Sequence, residues 1–293
     1  MNKEEKFLNI IKKSLSCTKY IGDDCAYLED FGLTISHDTL IEDVHFKRSY
    51  MTPFEIAQKA LLVNISDILA SGANPYGATI SISGKLNENF ISDFYNGIDE
   101  IAQKYKLKIL GGDLTGGEKI AISISILGDV KNRRISSRKN AKIGYIIATK
   151  GIFGRSHLGL IELQRGTAGE FSKYHKKPEL YPEASKIIAE NCANDYALMD
   201  SSDGLYDALN KISKESNAGA NIDFNLIPKA IDDFSTTLFG GEDFSLVGAF
   251  EEKDFKNLQN LGAGLVKIGE IIEKKGIFVD NKKILEDKSY EHF

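Results

Sequence analysis

Aspartate residues stand at the edges of apolar runs in several parts of the 293-residue chain, next to glycine, serine or another aspartate. They are Asp23 and Asp24 in IGDDCAYL, Asp38 in LTISHDTL, Asp67 in LLVNISDILASG, Asp113 in LKILGGDLTGG, and Asp200 and Asp203 in YALMDSSDGL. Each motif alone is typical of a solvated turn, because Asp is a common turn and cap residue. Their recurrence in both halves of the chain favours a site for Mg²⁺, which takes oxygen ligands and bridges to phosphates.

Asp67 carries the strongest signal, because it is the only charged residue between Ala60 and Gly84. A buried carboxylate without a partner costs several kcal/mol or loses its charge. Lys and Arg are scarce in these motifs, so a metal ion is the predicted partner. The turns at Gly22, Gly111–Gly112, Gly116–Gly117 and Gly204 are predicted to bring backbone N–H groups to phosphate oxygens.

Composition excludes several classes of protein. The 37 Lys and Arg against 42 Asp and Glu give a net charge of −5, which does not favour nucleic acid or an anionic membrane. The 3 cysteines lack C-x-x-C spacing, which argues against a zinc ribbon or a disulfide framework and indicates the cytoplasm. The segment from Ala60 to Gly84 is too polar for a membrane span. The P-loop, dinucleotide-fold and protein-kinase signatures are absent from the sequence.

The elements that must position these aspartates follow from apolar periodicity and cap residues. Thr52-Pro53-Phe54-Glu55 predicts a helix start, and the helix should run to about Ser71 and close at Gly72 in a left-handed conformation. Other helices are predicted after Asn2, at Phe90–Tyr105, Ser156–Gln164, Pro182–Asn191 and after Ser202. Strands are predicted at Cys25–Leu28, Leu33–Ser36, Ala78–Ser83, Leu107–Leu110, Ile120–Leu127, Tyr145–Thr149, Tyr196–Met199, Asn221–Phe224 and Phe244–Phe250. The basic segment Lys131–Lys142 predicts a boundary between two α+β domains.

A set of motifs occurs in one characteristic order. They are IGDDCA, SHDTLIEDVHF, NISDILASGANP, GGDLTGG, R-x-x-A-x-x-G from Arg138 to Gly144, DSSDGL, GGEDFSL and SYEHF. On these residues the chain resembles the thiamine-monophosphate kinase family of the aminoimidazole ribonucleotide synthetase-like superfamily, from about Ile21 to Phe293. The resemblance implies an α+β, two-domain fold. Residues 1–135 would bind ATP and Mg²⁺ and form a dimer barrel with a second copy, and residues 136–293 would form a C-terminal α+β domain completing the site.

The resemblance also implies the reaction, which is ATP-dependent phosphorylation of thiamine monophosphate to thiamine diphosphate by direct in-line transfer. It implies no catalytic side chain, since metal ions and positioning would carry the catalysis. The implied Mg²⁺ ligands are Asp23, Ser36, His37 (through its carbonyl), Asp38, Asp67, Asp113, Asp200 and Asp203. The implied ATP contacts are Tyr95, Gly112, Asp113, Arg138 and Ser202, and the implied substrate contacts are His45, Glu242 and a terminal aromatic residue, Tyr290 or Phe293. A cytoplasmic homodimer without nucleic-acid or membrane partners is expected.

Alternatives remain open from the residues alone. Another ATP-using member of the superfamily, such as the cyclising purine ligase, is the nearest. Selenophosphate synthetase is disfavoured because Cys17 does not lie near a glycine-rich N-terminus, and the hydrogenase factor because the chain ends in Phe293. A non-catalytic nucleotide-binding or scaffold protein is disfavoured because an idle carboxylate cluster destabilises the fold. Individually, His45, Tyr95 and Ser202 are also typical of a structural histidine, a core residue and a helix cap.

Overall fold

The computed structural model describes residues 3–167 and 169–290, and it has an α+β fold. Its helices are α1 Lys3–Ser14, α2 Pro53–Ser71, α3 Glu88–Tyr105, α4 Arg155–Gln164, α5 Ser172–Lys176, α6 Pro182–Asn191, α7 Leu205–Glu215, α8 Phe234–Phe239 and α9 Glu252–Asn260. Its strands are β1 Ala26–Leu28, β2 Leu33–Ile41, β3 Asn74–Gly84, β4 Lys108–Gly116, β5 Ala121–Asp129, β6 Ile146–Lys150, β7 Ala197–Asp200, β8 Gly219–Ile222, β9 Leu246–Phe250, β10 Val266–Ile272, β11 Gly276–Val279 and β12 Lys282–Lys283. No described helix combines the length and apolar composition that crossing a bilayer requires.

The first five strands form one sheet in the order β1-β2-β5-β3-β4. Strand β5 alternates between buried and half-buried residues, and Ile122, Ile124 and Ile126 point into a core shared with α2 and α3. This alternation is the pattern of a sheet with one covered face. Strand β4 is exposed along its whole length. The single chain therefore forms an open sheet, and the predicted dimer barrel stays a prediction.

The other seven strands form a second sheet in the order β12-β11-β8-β10-β6-β9-β7. Its strands pair antiparallel except for β8 and β11, which are parallel. Buried residues of α7 pack on one face, and those of α6 and α9 pack on the other. Strand β7 lies at the edge of this sheet, so α2 can pack beside its carboxyl end.

Helix α2 lies between the two sheets and is bound by both. Its start is the predicted capping box, in which Thr52 and Glu55 bond reciprocally, and Gly72 closes it with φ 88°. The hydroxyl of Ser136 donates to the carbonyls of Ala70 and Leu198 at 2.9 and 3.1 Å, which ties the end of α2 to β7. The helix is therefore a rigid element from which side chains reach residues of the second sheet.

The structure confirms most predicted elements but corrects two. Gly111, Gly112 and Gly116 were expected in turns, yet they lie in β4, which pairs with β3 in parallel. A Cβ atom at Gly112 would overlap the carbonyl oxygen of Ile80, so this strand position requires glycine. The strand expected at Asn221–Phe224 lies two residues earlier, because Asp223 caps a short 3₁₀ helix that follows it.

Candidate active site

Three carboxylates from distant parts of the chain meet near the end of α2. Asp24 precedes β1, Asp67 lies on α2, and Asp200 ends β7. One oxygen atom of each lies within 4.8 Å of the others, and among the described residues they form the group able to hold a metal ion. Asp200 is only 1% exposed. Like charges at this spacing repel strongly when they are buried, so the group requires protons or a cation.

Hydroxyl and amide groups hold these carboxylates in place. Ser36 of β2 donates a hydrogen bond to Asp67, and Ser66 of α2 donates to Asp200 at 2.6 Å. The side-chain oxygen of Asn64 accepts the backbone N–H of Asp38 at 3.2 Å. Residues 64, 66 and 67 of one helix therefore join β2 of the first sheet to β7 of the second.

The electrostatics of the group fit a bound divalent cation. Burial raises the pKa of Asp67 well above its usual value, and the charges of Asp38, Asp200 and Asp24 raise it further. Burial, with Asp24 as the next contribution, raises the pKa of Asp200 to about 7. These three carboxylates and the Ser36 hydroxyl supply the oxygen ligands that Mg²⁺ prefers, so the residues present fit the metal.

Arg138 lies against the same group, within the basic segment Lys131–Lys142 that was predicted as a domain boundary. Its guanidinium is 15% exposed and donates from Nη2 to Asp24 at 2.5 Å. Its Nε–H is buried and has no hydrogen-bond partner among the described residues. Asp23 accepts the backbone N–H of Arg138 and the hydroxyl of Ser137, both at 2.7 Å. Asp23 therefore positions the arginine, while Asp24 belongs to the three-carboxylate group, and the role of Asp23 as a Mg²⁺ ligand stays a prediction.

The DSSD and GGED segments lie side by side, because β7 and β9 pair antiparallel with Asp200 opposite Leu246. The backbone N–H of Glu242 donates to the carbonyl of Ser202 at 2.6 Å. Ser202 does not cap a helix, since α7 begins at Leu205 after Gly204. Asp203 forms an ion pair with Lys211 at 3.2 Å, so it has a protein partner of its own.

A buried polar cluster joins α2 to the GGED segment. Lys59 of α2 is 0% exposed, and its Nζ lies 3.0 Å from Oε1 of Glu242 and 3.3 Å from Nε2 of His175. Burial raises the pKa of Glu242, but the charges of Lys59 and His175 outweigh this, and the net change lowers it. The sequence interpretation missed Lys59 and His175. The available signal was a lysine directly before the apolar run ALLV.

A cavity of about 490 Å³ lies beside this cluster. Arg48, Tyr50, Met51, Thr52, Glu55 and Lys176 line it, and the ring of Tyr50 meets the ring of His175 edge-on at 6.4 Å. Its lining combines one aromatic ring with the charged side chains of Arg48, Glu55 and Lys176.

Some predicted residues lie outside the three-carboxylate group. Asp113 and Gly112 are exposed on β4, where the hydroxyl of Thr115 donates to Asp113 at 3.0 Å. His37 is exposed, and its Nδ1 lies 2.8 Å from the hydroxyl of Ser125.

The predicted ATP and substrate contacts are also spread over the fold. Tyr95 packs edge-on against Phe94 at the edge of the first core. His45 is half-buried, and its Nδ1 accepts the backbone N–H of Ile41 at 3.0 Å. Tyr290 is 52% exposed in the C-terminal segment, and Phe293 lies outside the described residues.

Comparison with known proteins defines the class first. Residues 22–130 match the family described as "AIR synthase related protein, N-terminal domain". This stretch holds the whole five-stranded sheet, α2, and Asp24 and Asp67 of the carboxylate group. Residues 22–130 therefore form a domain of the AIR synthase-related class.

Full-length relatives narrow the class. Thiamine-monophosphate kinase of Bacillus subtilis (strain 168) is 33% identical over 93% of this chain and 93% of its own length. That of Buchnera aphidicola subsp. Schizaphis graminum (strain Sg) is 36% identical over 98% of this chain and 96% of its own. A solved structure described as "AaThiL complexed with AMPPCP and TMP" superposes with a TM-score of 0.90 at 30% identity, covering 100% of this chain and 99% of that one. The chain belongs to the thiamine-monophosphate kinase family.

Proposed function

We propose that this protein transfers the γ-phosphoryl group of ATP to thiamine monophosphate, giving ADP and thiamine diphosphate, with Mg²⁺ bound by its carboxylates. It is thus a phosphotransferase with a phosphate group as acceptor. The observation that carries the proposal is the convergence of Asp24, Asp67 and Asp200, each drawn from a different part of the chain. Family membership supports the same reaction, and so does the relative described in complex with AMPPCP and TMP.

The carboxylate group is the proposed metal site, with Asp38 beside it and the hydroxyl of Ser36 oriented toward Asp67. A Mg²⁺ ion held by these residues would supply positive charge that offsets the repulsion between the phosphates of the two substrates. Asp23, Asp113, Asp203 and the carbonyl of His37 also stay proposed ligands. In this structure Asp23 holds Arg138, Asp113 lies on exposed β4 and Asp203 lies against Lys211.

The chain's own residues would position ATP from two sides. The buried Nε–H of Arg138 and the serine-rich DSSD segment after β7 lie next to the carboxylate group. Arg138 is held by Asp24 through its Nη2 atom, so its orientation is fixed before any nucleotide binds. Proposed ATP contacts also include Ser202, Gly112 and Tyr95.

The acceptor would be an oxygen of the substrate's own phosphate, whose second pKa is about 6, so it is mostly ionised at neutral pH. A general base is then unnecessary, and the protein's task is to align two polyanions and to stabilise their charge. For this reason the proposal includes no catalytic side chain.

Helix α2 sets the separation between the two ends of the proposed acceptor site. Lys59 and Asp67 are eight residues apart on one face, which corresponds to about 12 Å along the axis. The phosphate end would lie at Asp67, and the thiamine end near His45, Glu242 and the cavity lined by Tyr50. A terminal aromatic residue, Tyr290 or Phe293, is proposed to stack on a thiamine ring.

A cytoplasmic homodimer is part of the proposal. The exposed edge strand β4 carries Ile109, Leu110 and Leu114, which are large exposed apolar residues. Unpaired strand edges of this kind are typical sites for pairing with another chain. The proposed domains, 1–135 and 136–293, are supported by the first sheet ending at Asp129 and the second beginning at Ile146.

The test is to incubate the purified protein with Mg²⁺, ATP and thiamine monophosphate and to separate the thiamine species by chromatography. We expect thiamine diphosphate to form, and to form only when ATP and Mg²⁺ are both present. Aminoimidazole ribonucleotide synthetase and selenophosphate synthetase substrates serve as controls. Turnover of either, without any thiamine diphosphate, would overturn the proposal.

A further inference from the structure

We propose that Lys59 is a positioning residue for recognition of the thiamine end of the substrate, because it fixes His45 and Glu242 relative to each other. This inference rests on the proposed function and extends it to a residue that does not touch the substrate.

The first observation is that the ammonium group of Lys59 has as many acceptors around it as it has N–H donors. Its ammonium group carries three N–H donors, and three acceptors surround it. They are Oε1 of Glu242 at 3.0 Å, the carbonyl oxygen of His45 at 3.2 Å and Nε2 of His175 at 3.3 Å. The side chain is fully buried, so solvent does not replace any of these partners. Two of the three partners are the residues proposed to contact the substrate, and they belong to segments that precede and follow α2 in the chain.

The second observation is the position of Glu242, which needs support from outside its own segment. Its backbone has φ 62°, in the left-handed region that residues other than glycine rarely adopt. Such a conformation persists only when surrounding contacts determine it. The backbone is held by the carbonyl of Ser202, and both carboxylate oxygens are held, Oε1 by Lys59 and Oε2 by His175 at 3.2 Å. The side chain stays 29% exposed, which leaves one face of the carboxylate open.

The third observation is that the hydrogen bonds run in one consistent direction. Lys59 donates to Nε2 of His175, so the neutral imidazole carries its proton on Nδ1, which lies 3.2 Å from both the Ser156 hydroxyl and Oε2 of Glu242. Burial lowers the pKa of His175 to about 4, and the charge of Lys59 acts in the same direction. The ring is therefore neutral at physiological pH, and Lys59 and Glu242 form the charged pair.

A purely structural role is the rival explanation, since Lys59 also links α2 to the second sheet. The two roles differ in what a substitution does to the substrates. If Lys59 only links the two sheets, its loss should change the KM values of ATP and thiamine monophosphate alike. If Lys59 positions His45 and Glu242, only the KM of thiamine monophosphate should change, because the carboxylate group and Arg138 do not contact Lys59.

The experiment measures kcat and the KM of each substrate for Lys59→Met, Glu242→Gln and the double variant. Lys177→Met is the matched control, because Lys177 forms a 2.7 Å ion pair with Glu100 of α3 and so also links α5 to the first sheet. For Lys59→Met we expect the KM for thiamine monophosphate to rise at least about tenfold, as for a broken buried charge pair. The KM for ATP should stay within about twofold, and the rise in the KM for thiamine monophosphate in the double variant should be smaller than the product of the two single-variant rises.

His175→Gln is the second variant if Lys59→Met does not fold, and it should raise the same KM by a smaller factor. Equal changes in both KM values, or an unchanged KM for thiamine monophosphate in a folded variant, would overturn the role of Lys59. A wild-type protein that makes no thiamine diphosphate would overturn the proposed function and this inference together. An active wild type with an unaffected Lys59→Met variant would overturn this inference alone.

Discussion

The hydroxyl of Ser66 donates a hydrogen bond of 2.6 Å to the carboxylate of Asp200, and both residues are buried. Ser66 lies on α2 and Asp200 at the end of β7, so this one bond links the helix of the first sheet to the edge strand of the second. It also fixes the face of Asp200 that is turned toward Asp67. The geometry of the proposed metal site therefore depends on how the two sheets are joined at α2.

Replacing Asp67 by Asn should abolish the stabilisation by Mg²⁺ without destabilising the metal-free fold. In EDTA the variant should melt at the same temperature as the wild type or higher, because an amide cannot ionise beside the neighbouring carboxylates. With Mg²⁺ at about 100 times its Kd, the wild type should gain about 2.7 kcal/mol and the variant should gain nothing. Thermal melts followed by circular dichroism provide the measurement.

The matched control is Glu118→Gln, which alters an exposed carboxylate paired with Lys85. It should melt like the wild type with and without Mg²⁺. An Asp67→Asn protein that still responds to Mg²⁺ would remove Asp67 from the metal site.

Acid should weaken the cluster around His175. Its pKa is lowered from 6.5 to about 4, first by burial and then by Lys59, so the folded state favours the neutral ring. The resulting stability is fully present above pH 6.5 and is lost as the pH falls toward 4, by an amount on the order of 3 kcal/mol. Urea unfolding at pH 7, 6, 5 and 4.5 should show a steeper loss for the wild type than for His175→Gln. His37→Gln, which changes an exposed histidine, should follow the wild type. The same loss of stability with pH in all three proteins would contradict His175 as the source of this acid sensitivity.

The rate of phosphoryl transfer should depend on the ionisation of the acceptor. Because the substrate's phosphate is its own nucleophile, single-turnover rates at saturating substrates should fall as the pH drops through about 6. The measurement is a rapid-quench series from pH 8 to pH 5. A single-turnover rate that stays constant through this range would argue against the ionised phosphate as nucleophile.

Strand β4 should mediate self-association. We expect sedimentation velocity to give twice the chain mass of 32.4 kDa for the wild type and a single chain mass for Leu114→Asp. The physical reason is that a charge placed in an apolar strand edge disfavours pairing of two edges. Leu285→Asp is the control, since Leu285 is exposed in the segment after β12. A monomeric wild type, or a Leu114→Asp dimer, would contradict the proposed interface.

Local signals in the sequence were sufficient for the elements that depend on local chemistry. The bounds of α2 follow from the Thr52–Glu55 capping box and Gly72, and the need of Asp67 for a partner follows from its apolar surroundings. The length of β4 was underestimated, because its glycines are typical of turns and only the pairing with β3 makes them a strand.

Long-range contacts were beyond local reasoning. Asp24 lies with Asp67 and Asp200 because of the way the folded loop directs its side chain, and two adjacent aspartates carry the same local signal. The contact of Lys59 with Glu242 is likewise set by the packing of α2 against the second sheet. The apolar residues around Asp67 indicated that this part of α2 is buried. They did not indicate which polar groups of other elements would contact the polar residues of the helix.

The most direct test of the account uses ATP labelled in its γ-phosphate, with thiamine monophosphate and Mg²⁺. The account predicts that the label appears in the terminal phosphate of thiamine diphosphate with the wild type, and that EDTA or Asp67→Asn abolishes its appearance. Label released only as inorganic phosphate, or product formed at the full rate by Asp67→Asn, would contradict it.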